Sequence, residues 1–469
     1  MRPNSLLLRV VISAACTLIL LDRSLPAQVP GVGYTFPAGA PAGSTIEVQL
    51  GGYDFTPDVD FFLHQPAATL KTTGSLGGYL VAPPPYWFGP KGRTTAFKIP
   101  RELTATFTLP QDLPRGPIHW QVANANGASG TVVFFVGDGP EVLESRRQSE
   151  AQPLGELPLT VNGRLSRITE VDLYTLTATA DGCLTADLYA RRLGANFNGT
   201  LKVKDADGTL LGDVIDTRGE DCAITVSVRK GQRYTVEVAD LDHRGHRSFV
   251  YRLELTPGPR LVTSVPSGGK PGTTAAVTFI GYGIKTGTAR LESVVSQVTF
   301  PANTSGRGWF DYRLKTPFGQ TPPLALPLDD LLEIVEPVTG GDRTLAHGTA
   351  VTGRLARPDE VDEYTLEAKA GQLFRLEAVS TQIGTRLDPV LSVLDAKDKQ
   401  LALNDDFGGT LDAGLDFKAP ADGTYRVRVH NGTGVAGRID SVYRLTVAIP
   451  LPGFALSMPQ SFVAPVGGK

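Results

Sequence analysis

The chain repeats itself, and the repeat limits the folds open to it more than any other feature. VNGRLSRITEVDLYTLTA (residues 161–178) returns as VTGRLARPDEVDEYTLEA (residues 351–368). Gly163, Arg164, Leu165, Glu170, Val171, Asp172, Tyr174 and Leu176 all recur 190 residues later. The copies also close alike, Tyr251-Arg252-Leu253 answering Tyr443-Arg444-Leu445 at an offset of 192. A second repeat precedes each copy. Pro37-Ala38-Gly39 through Thr45 matches Pro266-Ser267-Gly268 through Thr274, and Gly52-Tyr53 matches Gly281-Tyr282, at an offset of 229. The order is A-B-A-B, so the chain reads as four modules.

Both kinds of module read as all-β. Residues 224–228, 234–238, 374–378 and 425–429 alternate apolar with polar side chains at period two. Turn signals such as Asp207-Gly208, Lys230-Gly231, Asp422-Gly423 and Asn431-Gly432 recur every 8–12 residues. No window of 15 residues holds a helical period. The 52 glycines and 35 prolines are about 19% of the chain, against roughly 12% on average. The hydrophobic content of 41% is still enough for packed cores. Short strands with regular turns point to a tandem array of β-sandwiches.

Residues 1–27 read as a secretory signal: Arg2 and Arg9, an apolar run over 10–21, then Leu25-Pro26-Ala27 before Gln28. The run is short for a membrane span, which needs about 20 residues. An exported protein is expected, extracellular, on the cell surface or periplasmic. Removal of residues 1–27 takes away three arginines and one aspartate and moves the net charge from −3 to −5. Such a charge gives no basic footprint for nucleic acid. Cys183 and Cys222 remain, and an oxidising compartment invites them to pair. Strand phase argues the other way, because Cys222 is in step with Ile224 and Val226 while Cys183 is out of step with Leu184 and Ala186.

The B modules resemble the bacterial pre-peptidase C-terminal domain, a jelly-roll sandwich similar to collagenase collagen-binding domains. The residues that carry this are G-R-L…E-V-D-x-Y-T-L, LDPVLSVLD (387–395), LALNDD (401–406), DFKAPADGTYRVRV (416–429) and the closing Y-R-L. The A modules resemble Ig-like IPT/TIG domains more loosely, through P-x-G-x-x-x-G-[ST]-T and a following G-Y. The alternation resembles secreted modular proteins of planctomycete-type bacteria. The resemblance implies an all-β array of Ig-like and jelly-roll sandwiches after a signal peptide. Its expected boundaries are 1–27 for the signal, 28–140 for an Ig-like sandwich with a long insertion and 141–257 for the first jelly roll. They continue with 258–330 for a second Ig-like sandwich and 331–448 for the second jelly roll. Residues 449–469 are a tail or the start of a truncated further domain.

The collagen-binding relatives hold calcium with a Glu-rich lead-in and with Asp residues before the first long strand, hard oxygen ligands that suit that cation. Carried onto the second B module, the resemblance implies Glu336, Asp359 and Asp362 as metal ligands. Val338 stands where an asparagine is expected. In the first copy, Arg146, Arg147 and Gln148 at the lead-in and Thr169 in place of Asp359 argue against a cation. The alternative for Asp172 and Asp362 is a hydrogen bond to their own loop backbone, as Asp often makes in turns. Asn404-Asp405-Asp406 reads as a hairpin turn, His243-Arg244-Gly245-His246 as a solvated loop, and Ser267-Gly268-Gly269-Lys270 as a turn between strands.

The first A module is longer than the second by about 39 residues. The excess includes Pro83-Pro84-Pro85 followed by Tyr86, Trp87 and Phe88. Those aromatics are candidate ligand-binding residues, since rigid aromatics give large contact area at low entropic cost. The alternative is a loop that plugs its own sandwich with Trp87. No H-E-x-x-H, G-x-S-x-G or phosphate-cradling loop is present, so no enzyme activity is expected. Two functions follow. One is a non-catalytic binding, adhesion or spacer array whose partner is an extracellular glycan or a matrix or envelope protein. The other is the accessory N-terminal region of a larger exported enzyme, a peptidase by the company B modules keep.

Overall fold

The computed structural model describes residues 29–78, 100–145, 150–219, 221–302, 308–337, 343–408, 410–433 and 436–450. The signal segment 1–27, the aromatics Tyr86, Trp87 and Phe88, residues 146–148 and the stretch from 451 onward lie outside the described residues. The chain divides into two compact units, the first holding the described residues up to Asp138 and the second Gly139–Phe454. The described residues form β-sandwiches in tandem, with two single-turn 3-10 helices, Arg191–Leu193 and Thr381–Ile383, set among the strands.

The first unit pairs two sheets. One runs Gly31–Phe36, Thr45–Tyr53, Pro100–Thr108, Thr69–Thr72 in spatial order; the other runs Gly39–Pro41, Val132–Gly137, Gly116–Asn124, Asp60–Leu63. Alternation fills the space between them with Val48, Leu50, Phe107, Trp120 and Phe134, the rings of Phe107 and Phe134 stacked 4.1 Å apart. Trp120 is fully buried, and its indole N–H donates to Thr35 Oγ1 at 2.8 Å, which satisfies the one polar atom it carries inside.

The A repeat is visible in a defect. The pairing of Gly31–Phe36 with Thr45–Tyr53 slips between Val32 and Tyr34, and that of Arg260–Val265 with Thr274–Tyr282 slips between Leu261 and Thr263. The recurring glycine sits at this bulge. A Cβ on Gly52 would lie 2.7 Å from the Gly31 carbonyl, and one on Gly281 2.2 Å from the Arg260 carbonyl.

Each B repeat forms two five-stranded sheets with the same strand order. In the first copy these are Glu141–Leu143, Leu159–Arg164, Val250–Pro257, Gly182–Tyr189, Cys222–Val228, and Gln152–Pro153, Val171–Thr177, Arg233–Asp240, Gly199–Lys204, Leu210–Val214. The second copy repeats both orders, from Leu332–Val335 and from Thr344–Leu345. Cys183 pairs with Ser227 and Cys222 with Leu188 on neighbouring strands, so the two thiols lie rungs apart and on opposite faces. Both are free and buried.

The G-R-L and Y-R-L motifs are two halves of one contact. Gly163 lies directly across from Tyr251, and Gly353 across from Tyr443. The absent side chain makes the notch that the tyrosine ring fills: a Cβ would sit 2.2 Å from Cζ in either copy. The following arginine turns to the opposite face of the same sheet. Arg252, fully buried, makes a bidentate pair with Glu141 at 2.7 Å through both nitrogens, and Arg444 pairs with Glu333 and, at 3.0 Å, with Asp329.

The second unit joins a B, an A and a B module through short connections. Gly258 N–H donates to the Cys183 carbonyl at 2.8 Å, and Ala289 N–H to Ser227 Oγ at 2.9 Å. On the other side Ser267 N–H donates to Thr352 Oγ1 at 2.9 Å, which places the S-x-x-K segment in a buried module joint. Ile280, Ile383 and Val442 close an apolar cluster there.

Gly353→Ala is expected to lower the stability of the last B module by about 1–3 kcal/mol, because the notch is overpacked against a fixed ring. Gly155→Ala, with nothing within 4 Å of its Cβ, is the control. Urea denaturation of the exported chain reads both.

Candidate functional site

Glu336 and Asp362 come together at one end of the second B module. Glu336 follows the strand Leu332–Val335, and Asp362 is the second residue of Val361–Ala368, in the facing sheet. Asp362 is buried because its neighbours Tyr364 and Leu366 alternate inward with it. Its Oδ2 accepts a hydrogen bond from Tyr443 at 2.7 Å, and Tyr443 lies 2.6 Å from the Tyr364 hydroxyl. The hydrogen-bond chain links Tyr364 to Tyr443 and ends on Asp362 as acceptor. Both aspartates thus bond across the sandwich and not to their own loop backbone, since Asp172 Oδ2 accepts from Tyr251 at 2.5 Å.

Arg343 faces the two carboxylates of the second copy. Its guanidinium is 3.0 Å from Glu336 Oε1 and 3.5 Å from Asp362 Oδ1. Glu336 Oε2 also accepts from Arg354 N–H at 3.2 Å. Asp359 is exposed on the preceding turn, where Glu360 instead turns back to accept from Arg357 N–H at 2.9 Å. Two of the three expected ligands therefore meet, with a guanidinium between them. Burial raises the pKa values of Glu336 and Asp362; the Asp362 charge adds to the rise at Glu336, the Tyr443 hydrogen bond opposes it at Asp362, and Arg343 lowers both.

The first copy brings the same pair of carboxylates together. Glu144, and not residues 146–148, is the counterpart of Glu336: its Oε2 accepts from Arg164 N–H at 2.7 Å, and it lies beside Asp172. Gln152 occupies the position of Arg343, and its amide is spent on Ser145 N–H and the Leu143 carbonyl. Glu144, Glu150, Gln152 and Asp172 border a space of about 10 Å³, the room of one water. Desolvation is the main cause that pushes both Glu144 and Asp172 well above the ordinary carboxylate range. Tyr174 and Tyr251 rise too, through burial.

Sequence reading overlooked Glu144 and the arginine partners Glu141 and Glu333. The signal existed: Glu141-Val-Leu-Glu144 and Glu333-Ile-Val-Glu336 recur at the 192-residue offset of the closing tyrosine. The other polar runs have ordinary tasks. Asn404 accepts from Gly414 N–H at 2.8 Å and donates to the Asp406 carbonyl at 2.8 Å, closing its turn. Arg244 pairs with Asp240, and His246 Nδ1 lies 2.8 Å from Ser248 Oγ. Among the described residues no group of three or more His, Cys, Asp or Glu side chains is arranged to hold a metal ion. No helix among them is long and apolar enough to cross a membrane.

No family model matches the chain. A stretch of 76 residues is 42% identical to a probable subtilase-type serine protease of Deinococcus radiodurans, covering 16% of this chain and 10% of that protein. The chain thus spans about a tenth of that relative's length. The pre-peptidase C-terminal domain of a Bacillus anthracis collagenase superposes at 17% identity over 24% of this chain and all of its own, with a TM-score of 0.19. Tandem CBM51 modules of a Streptococcus pneumoniae family 98 glycoside hydrolase do so at 8% identity over 60% of this chain and 81% of theirs, with a TM-score of 0.17. Scores this low carry no argument about what this chain does.

The raised carboxyls set the pH response of the first B module. The folded state keeps a proton that the unfolded chain releases, so this stabilisation is full below the ordinary carboxylate value of about 4 and fades as pH rises toward neutrality and past it. Glu144→Gln is expected to raise the melting temperature of that module by a few degrees at pH 8 and to leave it unchanged at pH 4. Calorimetric melts of the exported chain at the two pH values measure the difference.

Proposed function

We propose that this chain is an exported, non-catalytic array of β-sandwich modules that spaces and presents binding surfaces to an extracellular glycan or a matrix or envelope protein. The observation that carries the reading is the jointing of Gly139–Phe454. Hydrogen bonds from Ala289 N–H to Ser227 and from Ser267 N–H to Thr352, a shared apolar cluster and the Arg444–Asp329 ion pair join three modules where flexible linkers would leave them free to tumble. Sandwiches joined in this way suit spacing and presentation. The array's contact to its ligand is assigned to Tyr86, Trp87 and Phe88.

A second reading has a specific observation behind it. The 42% identical stretch shared with the Deinococcus radiodurans protease favours an accessory role beside the catalytic domain of an exported peptidase. The two readings agree on a non-catalytic part outside the cell and differ in what it is attached to.

Glycan and matrix-protein arrays probed with the exported chain test the binding role. Saturable retention on one surface is expected, lost in Trp87→Ala with the melting curve unchanged. Retention on none of the surfaces, or equal retention by Trp87→Ala, sinks the assignment.

Calcium at Glu336, Asp359 and Asp362 belongs to the same reading as a proposal. Arg343 has to leave the carboxylate pair for a cation to enter, so the wild-type chain should bind millimolar calcium weakly and Arg343→Gln at least about tenfold more tightly. Titration calorimetry reads this directly; no heat from either protein removes the site.

A further inference from the structure

Three modules of the second unit border one polar cavity of about 120 Å³. Thr217 and Thr225 come from the first B module, Arg260 and Tyr282 from the A module, and Arg386 and Asp440 from the second B module. Its charge balance is unusual. Asp440 is already paired with Arg438, at 2.8 Å and 3.3 Å, and Arg438 also reaches the Tyr282 hydroxyl at 3.4 Å. Asp187, whose field reaches Arg260, is shared between Arg192 and Arg218. Asp221 is held by Arg192 as well.

That leaves the side chains of Arg260 and Arg386 lining the cavity with no hydrogen bond or ion pair from the described residues. Burial and the neighbouring Arg218 guanidinium pull the Arg260 pKa down to about 10, so it stays charged at neutral pH. A guanidinium withdrawn from water without a counter-charge is costly, and an excess of arginine in a polar cavity is relieved by an anion. The planar fork of arginine matches the oxygens of a phosphate or sulfate group better than it matches chloride.

We propose that this three-module cavity is a binding site for one tetrahedral oxyanion, held between Arg260 and Arg386 with the Tyr282 hydroxyl as a further contact. Bound there, the anion ties the A module to the last B module, in a cavity that the first B module also borders. The site stands apart from the array reading, because it follows from the charges at the joint whatever the array presents.

The test is titration calorimetry of the exported chain with inorganic phosphate and with sulfate, against chloride at equal ionic strength. One saturable site at millimolar anion or below is expected, together with a rise in melting temperature that chloride does not give. Arg386→Gln, a half-buried position, should weaken binding at least about tenfold, as the loss of a charge-assisted contact requires. Arg260→Gln should do the same, and circular dichroism confirms its fold. A sulfated disaccharide separates the sources: tighter binding than free sulfate assigns the group to an anionic glycan, weaker binding to a free ion. Absence of heat and of a melting shift with both anions overturns the site, and so does unchanged affinity in Arg386→Gln.

Discussion

A tyrosine hydroxyl buried between two sheets has to find a hydrogen-bond partner there, and both B modules are built around that requirement. Tyr251 and Tyr443 rise from one sheet, and each donates to an aspartate of the facing sheet while a second tyrosine completes the chain. The ring has room only because Gly163 or Gly353 stands opposite. Packing and polarity are therefore coupled: a side chain at the glycine displaces the ring, and a displaced ring leaves a buried aspartate without its donor. An unsatisfied group of that kind costs more than the hydrogen bond itself contributes.

The same strand that delivers the tyrosine delivers an arginine to the outer face, one residue on. Arg252 and Arg444 each meet a glutamate of the lead-in strand, and the second also reaches Asp329 at the preceding joint. One strand thus fixes the sandwich interior with its tyrosine and the lead-in strand with its arginine. In the second copy that arginine also ties the sandwich to the module before it. Buried pairs of this kind are poor sources of net stability but penalise misplacement severely, which suits a chain whose modules must keep one arrangement. The two carboxylate ends show how the repeats have parted: Arg343 reaches the pair in one copy, Gln152 stands at that position in the other, and burial raises the carboxyls in both.

Much of this was legible in the residues. Period-two alternation and regular turn dipeptides gave an all-β reading, and the strands fall where the alternation is cleanest, as in Val361–Ala368 and Gly423–Asn431. The G-R-L to Y-R-L pairing was visible as a repeat but not as a contact, because cross-strand register links residues about 90 positions apart and a single sequence does not reveal it. The phase argument on Cys183 and Cys222 agrees with the register for the reason stated, that a one-residue offset along a strand reverses the face. The charge at the carboxylate ends was misjudged. Residues 146–148 were set against Glu336, whereas the shared E-x-x-E spacing aligns Glu144 with it. The unpaired arginines at the three-module cavity left no sequence signal at all, since they come from separate modules and are brought together only by the joints.

The joints require the three modules of Gly139–Phe454 to behave as one body. Small-angle X-ray scattering of residues 139–450, with and without Arg444→Met at low and high salt, measures that most directly. One rigid profile is expected for this three-module segment at both salt concentrations, and a broadened distance distribution when Arg444 is replaced. A profile that already broadens with salt in the unaltered chain, or one that Arg444→Met leaves untouched, would contradict it.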